Sequence, residues 1–302
     1  MFKLLLTLLL LCGVGFSAEP RVPADLKVSS SIVFKEVDGQ KLDLILFQPL
    51  EKKVEKAPLV VYIHGGGWAG GDKYKVLRRD VIEVVRALNQ QGVMCASIEY
   101  RLAKGAPVTV NDSETDCKDA MRFLVKHADE YGIDPNRVGT FGSSAGGHLT
   151  LLTALSDDAL FPGDPRLAGV QVKVRCVAAY FPLVSFCDLE LFEGSNFANP
   201  NRLIPILGGL LADRRELAKK LSPIEYVRAG SPAIFLAHGD ADKVLSFRNS
   251  ERMRDAAIAN GVAVECVLVK GAGHGFAGES VDPSVDEIVQ RTTAFFMENL
   301  VR

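Results

Sequence analysis

The chain has 302 residues, of which 35 are Lys or Arg and 37 are Asp or Glu, so its formal net charge is −2 at pH 7. It has neither a basic tract that would attract nucleic acid nor an acidic tail. With 48% hydrophobic residues, a chain of this length can bury a large core, and one α/β domain of this size is ordinary.

The N-terminal segment has the layout of a secretory signal peptide. Lys3 precedes an apolar run at residues 4–11, which is shorter than the roughly 20 apolar residues of a membrane-spanning helix. Small residues follow at Gly13, Gly15, Ser17 and Ala18. We predict a signal peptide at residues 1–17 and a secreted or periplasmic location for the mature protein.

The mature chain then comprises residues 18–302. A lipid anchor on Cys12 is the alternative, but Leu11 occupies a position where a small residue would be expected. Five cysteines remain after cleavage, an odd number without the C-x-x-C spacing of metal sites. No disulfide framework is expected, although pairing of Cys176 with Cys187 stays open.

Strand-like and helix-like segments alternate along the rest of the chain. Apolar alternation predicts a strand at 41–49, and continuous apolar runs predict buried strands at 58–67, 93–100, 174–182, 232–240 and 262–271. A short strand is predicted at 137–141, just before a turn rich in glycine and serine. Helical spacing predicts helices at 76–92, 111–132, 145–156, 247–260 and 284–300. This order predicts an α/β fold whose mostly parallel sheet is covered on both faces. Residues 183–231 break the rhythm and predict a small cap-like insertion.

The stretch FGSSAGGH at residues 141–148 contains the frame G-x-S-x-G, in which Gly142 and Gly146 flank Ser144. A serine on a tight turn from strand to helix projects its hydroxyl above the sheet edge, beside the helix N-terminus. We predict that Ser144 is a nucleophile and that Ser143, one position out of register, points elsewhere. A turn in which the serine only caps the helix is the alternative.

The stretch HGGGW at residues 64–68 follows a predicted buried strand. It is similar to the HGGG-type loop that contributes to the oxyanion hole of α/β-hydrolases, where backbone N–H groups surround a negative oxygen. We therefore predict oxyanion donors at Gly66, Gly67 and Ala145, and a structural role for His64 in fixing the loop. The spacing matches neither a P-loop nor a dinucleotide fingerprint.

In α/β-hydrolases the acid and then the histidine follow the serine. GAGHGF at residues 271–276 follows the last predicted strand, and His274 lies there among glycines, as suits a mobile general base. His127 and His148 are expected to be packing or surface residues.

The acid is expected in HGDADKVLS at residues 238–246, after the preceding strand. His238 opens this loop and is expected to be structural. Asp240 and Asp242 both follow it, and either one is a candidate partner for the imidazole of His274.

Together, HGGGW, EYRL (99–102), YGIDPNRVGTFGSSAGGHL (131–149), HGDADKV and GHGF resemble the motifs of the hormone-sensitive-lipase-like carboxylesterases. The resemblance is strongest to the secreted bacterial branch related to bifunctional feruloyl and acetyl xylan esterases. It covers nearly everything from about residue 30 to residue 300. It implies an α/β-hydrolase fold with a small cap and a serine carboxylesterase that needs no metal or nucleotide cofactor.

The resemblance also assigns individual residues. The family's acid stands four residues after the loop's histidine, which selects Asp242 as the partner of His274 and Ser144 in an acyl-enzyme mechanism. Asp240 is then expected to shape the turn by bonding backbone N–H groups. Trp68 either walls the substrate pocket or packs in the core. EYRL departs from the commoner DYRL of the family.

The expected partner is a small-molecule or polysaccharide-linked ester, and neither nucleic acid nor stable membrane insertion is expected after cleavage of the signal peptide. The sequence does not distinguish acetyl xylan, feruloyl and short acylglycerol esters. Two alternatives stay open. A prolyl-oligopeptidase-like peptidase shares the fold, but this chain has no room for the large N-terminal domain of such enzymes. The other alternative is a non-catalytic binding protein on the same fold.

Overall fold

The computed structural model describes residues 20–51 and 53–302. The predicted signal peptide, its cleavage site and Cys12 lie outside the described residues. Within them, no helix is both long and apolar enough to cross a membrane.

Eight strands form one sheet: β1 (Lys27–Val37), β2 (Gln40–Gln48), β3 (Ala57–Ile63), β4 (Met94–Ile98), β5 (Ile133–Ser143), β6 (Val174–Tyr180), β7 (Ala233–Gly239) and β8 (Val264–Val269). Their order across the sheet is β1-β2-β4-β3-β5-β6-β7-β8. The pairs β1–β2 and β2–β4 are antiparallel, and every pair from β4 to β8 is parallel. The predicted α/β fold with a mostly parallel sheet is confirmed.

The helices are α1 (Arg79–Gln90), α2 (Val110–Lys126), α3 (Ala128–Tyr131), α4 (Ala145–Leu155), α5 (Ile204–Leu207), α6 (Arg215–Lys220), α7 (Arg248–Ala259) and α8 (Val285–Leu300). Short 3-10 segments lie at Lys73–Leu77, Asp158–Leu160, Pro165–Leu167, Leu189–Phe192, Pro200–Leu203, Leu211–Asp213, Pro223–Tyr226 and His274–Phe276. Helices α2, α4 and α7 pack on one face of the sheet, and α1 and α8 pack on the other.

The core lies on both faces of the sheet, and alternation along β3 shows how one strand supplies both halves. Leu59, Val61 and Ile63 face the layer of α2 and α4, while Val60 and Tyr62 face the layer of α1 and α8. All five side chains are buried, because helices cover a parallel sheet on both sides.

Strand β1 was not predicted, because its sequence KVSSSIVFKEV lacks a regular alternation. Its pairing with β2 is irregular between Ser29 and Ile32 and again between Val33 and Lys35, so the apolar side chains do not keep one period. The helix predicted over 111–132 is also shorter: α2 ends at Lys126 and α3 follows as a separate turn.

The stretch between β6 and β7 contains α5, α6 and four 3-10 segments but no strand among its described residues. Its apolar side chains Leu183, Phe186, Leu203, Leu207 and Leu221 join the core on the face of α2 and α4. The N–H of Asn196 donates to the carbonyl of Lys243, 2.9 Å away, which ties this stretch to the loop after β7.

The five described cysteines, Cys95, Cys117, Cys176, Cys187 and Cys266, are all free. Cys176 and Cys187 therefore do not pair in this structure. Cys95 and Cys176 are buried on β4 and β6, as expected for thiols that pack as small apolar groups.

Candidate active site

Ser144 stands on the turn between β5 and α4, with φ 58° and ψ −122°. A non-glycine residue rarely adopts this region, and such backbone strain clusters at functional sites. The N–H of Ser144 donates to the carbonyl of Tyr180 at the end of β6, 2.8 Å away. Gly146 makes the turn possible, because a Cβ at this position would overlap the carbonyl of Ile63 on β3.

The two adjacent serines have separate environments. Ser143 is fully buried, and its Oγ lies 3.0 Å from the hydroxyl of Tyr62. Ser144 is partly exposed, and its Oγ lies 2.9 Å from Nε2 of His274. The register of the flanking glycines therefore predicted the orientation of both side chains.

The glycine loop that follows β3 packs directly against this turn. A Cβ added at Gly65 would lie 3.3 Å from the Cβ of Ser144. In the loops and turns of the described residues, no backbone hydrogen bond takes the N–H of Gly66, Gly67 or Ala145 as donor. These three N–H groups come from two neighbouring elements, the glycine loop and the first turn of α4, and have no competing acceptor.

His64 fixes the base of the glycine loop. Its side chain is fully buried, its Nδ1 donates to the carbonyl of Gly65 at 3.0 Å, and its ring stacks on Tyr100 with centroids 4.2 Å apart. The hydroxyl of Tyr100 donates to the carbonyl of His64 at 2.8 Å. Burial lowers the pKa of His64 to about 4, so the ring is neutral at physiological pH.

The histidine and the acid come from the ends of β8 and β7. His274 begins a 3-10 turn after β8, and its Nδ1 lies 2.7 Å from Oδ2 of Asp242. The other carboxylate oxygen of Asp242 accepts the N–H groups of Val244 (2.7 Å) and Leu245 (3.0 Å). The structure thus brings together Ser144, His274 and Asp242 in one chain of hydrogen bonds.

Burial by itself raises the pKa of Asp242, but hydrogen bonds from His238 and His274 and from the N–H of Leu245 outweigh it. They hold the pKa of this carboxyl well below its ordinary value. Nε2 of His238 lies 3.4 Å from Oδ2 of Asp242 and 3.0 Å from the carbonyl of Leu245. His238 is thus a fixed neighbour of the acid, consistent with a structural role.

Asp240 bonds the backbone of a neighbouring loop. Its Oδ1 accepts the N–H of Gly271 at 2.8 Å, which ties the loop after β7 to the loop that carries His274. This contact agrees with the expectation that Asp240 bonds backbone N–H groups rather than the imidazole.

Trp68 lies in the core, which is one of the two roles considered for it. Its side chain is 1% exposed, and its indole N–H donates to Nδ1 of His148 at 3.1 Å. Nε2 of His148 donates in turn to the carbonyl of Leu221 at 2.6 Å, and burial lowers the pKa of this histidine to about 4. With so little exposed surface, Trp68 packs in the core of this structure, and a contact between Trp68 and a substrate stays a prediction.

Tyr180 and Phe181, at the end of β6, support the site although they are not among the predicted site residues. The carbonyl of Tyr180 holds the N–H of Ser144, and the N–H of Phe181 donates to the carbonyl of Ala237 on β7 at 2.8 Å. No sequence motif marks these two residues. The signal is topological, because β6 lies between the strands that carry the serine and the acid.

No cluster of three or more His, Cys, Asp or Glu side chains in the described part of the chain is arranged to hold a metal ion. The groups gathered at this sheet edge are instead a hydroxyl, an imidazole, an ionised carboxylate and backbone N–H groups. Such an arrangement can activate a hydroxyl for attack on a carbonyl and can stabilise the resulting oxyanion.

Comparison with known proteins agrees with this geometry. The profile of the BD-FAE family matches residues 42–256, which is more than half of the chain. The chain belongs to the BD-FAE family. The predicted resemblance to α/β-hydrolase esterases of the bifunctional feruloyl and acetyl xylan branch is therefore confirmed. The dienelactone hydrolase family profile matches residues 216–300.

Curated relatives of this BD-FAE protein include esterase LipQ of Mycobacterium tuberculosis, 28% identical over 73% of this chain and 51% of that protein. Isoprenylcysteine alpha-carbonyl methylesterase ICME of Arabidopsis thaliana is 28% identical over 82% of this chain and 56% of its own length. The chain thus spans about half the length of these curated relatives.

Among solved structures, the propionate-bound esterase Est2 of Thermogutta terrifontis is 26% identical, with a TM-score of 0.72 over 92% of this chain and 96% of that chain. The same esterase has been solved phosphorylated by paraoxon. A truncated carbohydrate esterase from gut microbiota, at 22% identity and a TM-score of 0.71 over 91% of this chain and 97% of that one, shows the shared fold.

Proposed function

We propose that this protein is a serine carboxylesterase that forms an acyl-enzyme on Ser144. The observation that carries the proposal is the continuous hydrogen-bonded chain from Asp242 through His274 to Ser144, with distances of 2.7 and 2.9 Å. Ionised Asp242 keeps the proton of His274 on Nδ1, so Nε2 is left with a lone pair that faces the serine hydroxyl.

In the acylation step, Oγ of Ser144 attacks the ester carbonyl carbon while its proton passes to Nε2 of His274. The tetrahedral oxyanion is held by the N–H groups of Gly66, Gly67 and Ala145. When the intermediate collapses, the bond from carbon to the leaving oxygen breaks, and His274 returns its proton to the departing alcohol.

Deacylation repeats this sequence with water. His274 takes a proton from the water that attacks the acyl carbon, and the collapse of the second tetrahedral intermediate releases the carboxylic acid and the serine hydroxyl. The imidazolium formed in each half-reaction faces the carboxylate of Asp242.

The proposed substrates are esters with short acyl groups, either free or linked to a polysaccharide as acetyl or feruloyl groups. Family membership and the propionate found in the Thermogutta terrifontis esterase support this choice. The short, strand-free stretch between β6 and β7 supports it too, because its apolar residues are used in the core. We expect acetyl to butyryl esters to react faster than esters beyond roughly ten acyl carbons, measured as kcat/KM over a graded nitrophenyl ester series.

The decisive test compares the two serines. Ser144→Ala should lower kcat on p-nitrophenyl acetate by about 10³-fold or more and abolish labelling by a fluorophosphonate, because Ser144 supplies the hydroxyl that is hydrogen-bonded to Nε2 of His274. Ser143→Ala, which removes only the buried contact with Tyr62, should keep measurable activity. Equal losses in two variants with wild-type circular dichroism would contradict the assignment.

We also propose that residues 1–17 direct export and are removed, and that residues 18–302 form the mature α/β-hydrolase domain, with a cap-like insertion at about 183–231. The support is the charge and apolar pattern of the N-terminus. N-terminal sequencing of the exported protein tests this, with Ala18 as the expected first residue.

A further inference from the structure

Backbone strain is concentrated around the candidate site. Six non-glycine residues in the described ranges have a positive φ, and four of them follow strands whose carboxyl ends form the site: Trp68, Ser144, Phe181 and Phe276. For a bulky aromatic residue this conformation is a true outlier, and it persists only where the surroundings enforce it. Phe181, with φ 38°, is the member of this group that touches both site histidines.

The main chain at Phe181 joins two of the site's supports. Its N–H donates to Ala237, the residue before His238 on β7, at 2.8 Å. The preceding carbonyl, that of Tyr180, holds the N–H of Ser144 at the same distance. The peptide group between Tyr180 and Phe181 is therefore hydrogen-bonded both to Ser144, after β5, and to Ala237 on β7. The positive φ of Phe181 sets the direction in which its side chain leaves the backbone.

The side chain of Phe181 is fully buried and packs against the imidazole of His274. The two ring centroids are 4.6 Å apart with an interplanar angle of 61°, which is an edge-to-face contact. The same ring contacts His238 (6.5 Å) and Phe276 (5.1 Å), and the guanidinium of Arg78 lies 5.9 Å from its centroid. Phe181 is thus held from several sides and is itself a rigid support.

The imidazole of His274 needs such a support. Rotation about the bond from Cβ to the ring is soft, with broad, roughly two-fold minima. The imidazole is about a quarter exposed, with 24% of the side chain accessible. A half turn of the ring would break the bonds to Asp242 and Ser144 together, and the edge-to-face contact opposes that turn.

We propose that Phe181 is a positioning residue that holds the imidazole of His274 in the orientation that bonds both Asp242 and Ser144. This inference rests on the proposed function of the site. The strained backbone at Phe181 then serves to align the general base, His274. In this, Phe181 differs from buried phenylalanines that only fill the core.

The test uses two variants that remove the ring and one that keeps it. Phe181→Leu leaves a branched aliphatic side chain and Phe181→Met a flexible one of similar volume, so at least one variant without the ring should fold. Phe181→Tyr retains the aromatic ring. Phe235→Leu is the matched control, because Phe235 is equally buried and packs against Phe295 rather than against either histidine.

We expect the leucine and methionine variants to lose about 3- to 10-fold in kcat on p-nitrophenyl acetate, with KM changed less than about twofold. Phe181→Tyr should retain most of kcat. Phe235→Leu should lower the melting temperature at least as much as Phe181→Leu while its kcat stays at the wild-type value. If Phe181→Leu and Phe181→Met both lose stability but keep the wild-type kcat, the proposal is overturned.

A second readout does not depend on turnover. Two-bond ¹H–¹⁵N correlation spectra of the His274 ring, assigned with His274→Gln, should show one Nδ1–H tautomer in wild type and Phe235→Leu. The leucine and methionine variants should show averaged tautomers, whereas an unchanged pattern overturns the inference. If wild type hydrolyses no ester and takes no fluorophosphonate label, the proposed function fails, and these spectra still decide the role of Phe181.

Discussion

Asp242 in the loop after β7 and Glu114 on α2 are both carboxyl groups with little exposed surface, 6% and 0% respectively. Burial raises the pKa of each, yet the net shifts are opposite: the pKa of Asp242 falls well below its ordinary value, and that of Glu114 rises to about 8. The difference lies in the hydrogen-bond donors that the fold supplies to each carboxyl group.

Asp242 receives donors on both oxygens, two backbone N–H groups on one and His274 on the other. Glu114 receives one hydrogen bond, from the hydroxyl of Thr153 at 3.0 Å, and its second oxygen has no partner among the described residues. The ammonium of Lys118, which lowers the pKa of Glu114 from nearby, is itself bonded to two carbonyls and to Asp158.

The buried aspartates near Glu114 on α2 have a different set of partners. Asp116 is bonded by Lys35 at 2.6 Å and by Arg101 at 2.8 Å, and Asp119 is bonded by Lys35 and Arg122 at 2.7 and 3.0 Å. Each of these buried aspartates has cationic partners in contact, and Glu114 has none among the described residues. For Asp242 and Glu114, the direction of the pKa shift follows the balance between burial, which raises the pKa, and the hydrogen-bond donors in contact, which lower it.

We expect the largest loss of activity when the negative charge of Asp242 is removed. Asp242→Asn keeps the shape but cannot hold the Nδ1–H tautomer of His274, so kcat should fall by roughly 10³- to 10⁴-fold, by analogy with serine-protease triads. Steady-state kinetics on p-nitrophenyl acetate measure the loss, with circular dichroism as the check on folding. If the kcat of Asp242→Asn stayed near the wild-type value, the ionised state of Asp242 would have no part in turnover.

The second prediction concerns the neutral acid. The folded pKa of Glu114, about 8, lies above the ordinary glutamate value of 4.5, so its contribution to stability is complete below about pH 4.5 and is lost as the pH rises through 8. Between these values the slope is at most about 1.4 kcal/mol per pH unit. Glu114→Gln should flatten this fall in urea unfolding measured from pH 5 to 8.

Glu193→Gln, at an exposed position, is the control for that series and should leave the pH dependence of unfolding unchanged. A Glu114→Gln curve parallel to that of wild type would show that Glu114 is ionised in the folded protein, and the contrast with Asp242 would disappear.

The third prediction addresses the opposite end of the pH scale. The folded pKa of Asp242 lies below the ordinary aspartate value of 3.8, so its contribution to stability is present above about pH 4 and is lost as the pH falls further. Asp242→Asn should therefore lose less stability than wild type between about pH 4 and pH 2. Urea unfolding at acidic pH measures this difference, and identical acid limbs would refute it.

The smallest effect is expected at Asp240, the exposed neighbour of Asp242. Asp240→Asn retains an oxygen for the N–H of Gly271, so kcat should change less than about threefold and the free energy of unfolding by about 1 kcal/mol or less. The same ester assay and urea titration apply. A crippled Asp240→Asn beside an active Asp242→Asn would reverse the assignment of the acid.

Features that depend on neighbours along the chain could be predicted from the sequence. Continuous apolar runs marked β3, β4, β6, β7 and β8, since each run reports burial on both faces locally. The frame around Ser144 predicted which serine meets the imidazole, because two flanking glycines set the turn. The motif order also predicted that Ser144, His274 and Asp242 lie together, and the structure places their side chains in one hydrogen-bonded chain.

Contacts between groups that are distant in sequence could not be predicted, because they depend on how the elements pack. In the sheet, β6 lies between the strand that leads to the serine and the strand that leads to the acid. This order places Phe181 against His274, which comes 93 positions later in the sequence. Packing of β1 against α2 decided that Lys35 meets Asp116 and Asp119. The periodicity of apolar residues predicts whether a side chain is buried. The charged groups and aromatic rings that contact this side chain come from segments distant in sequence. For that reason the opposite ionisation of Asp242 and Glu114 could not be predicted from the sequence.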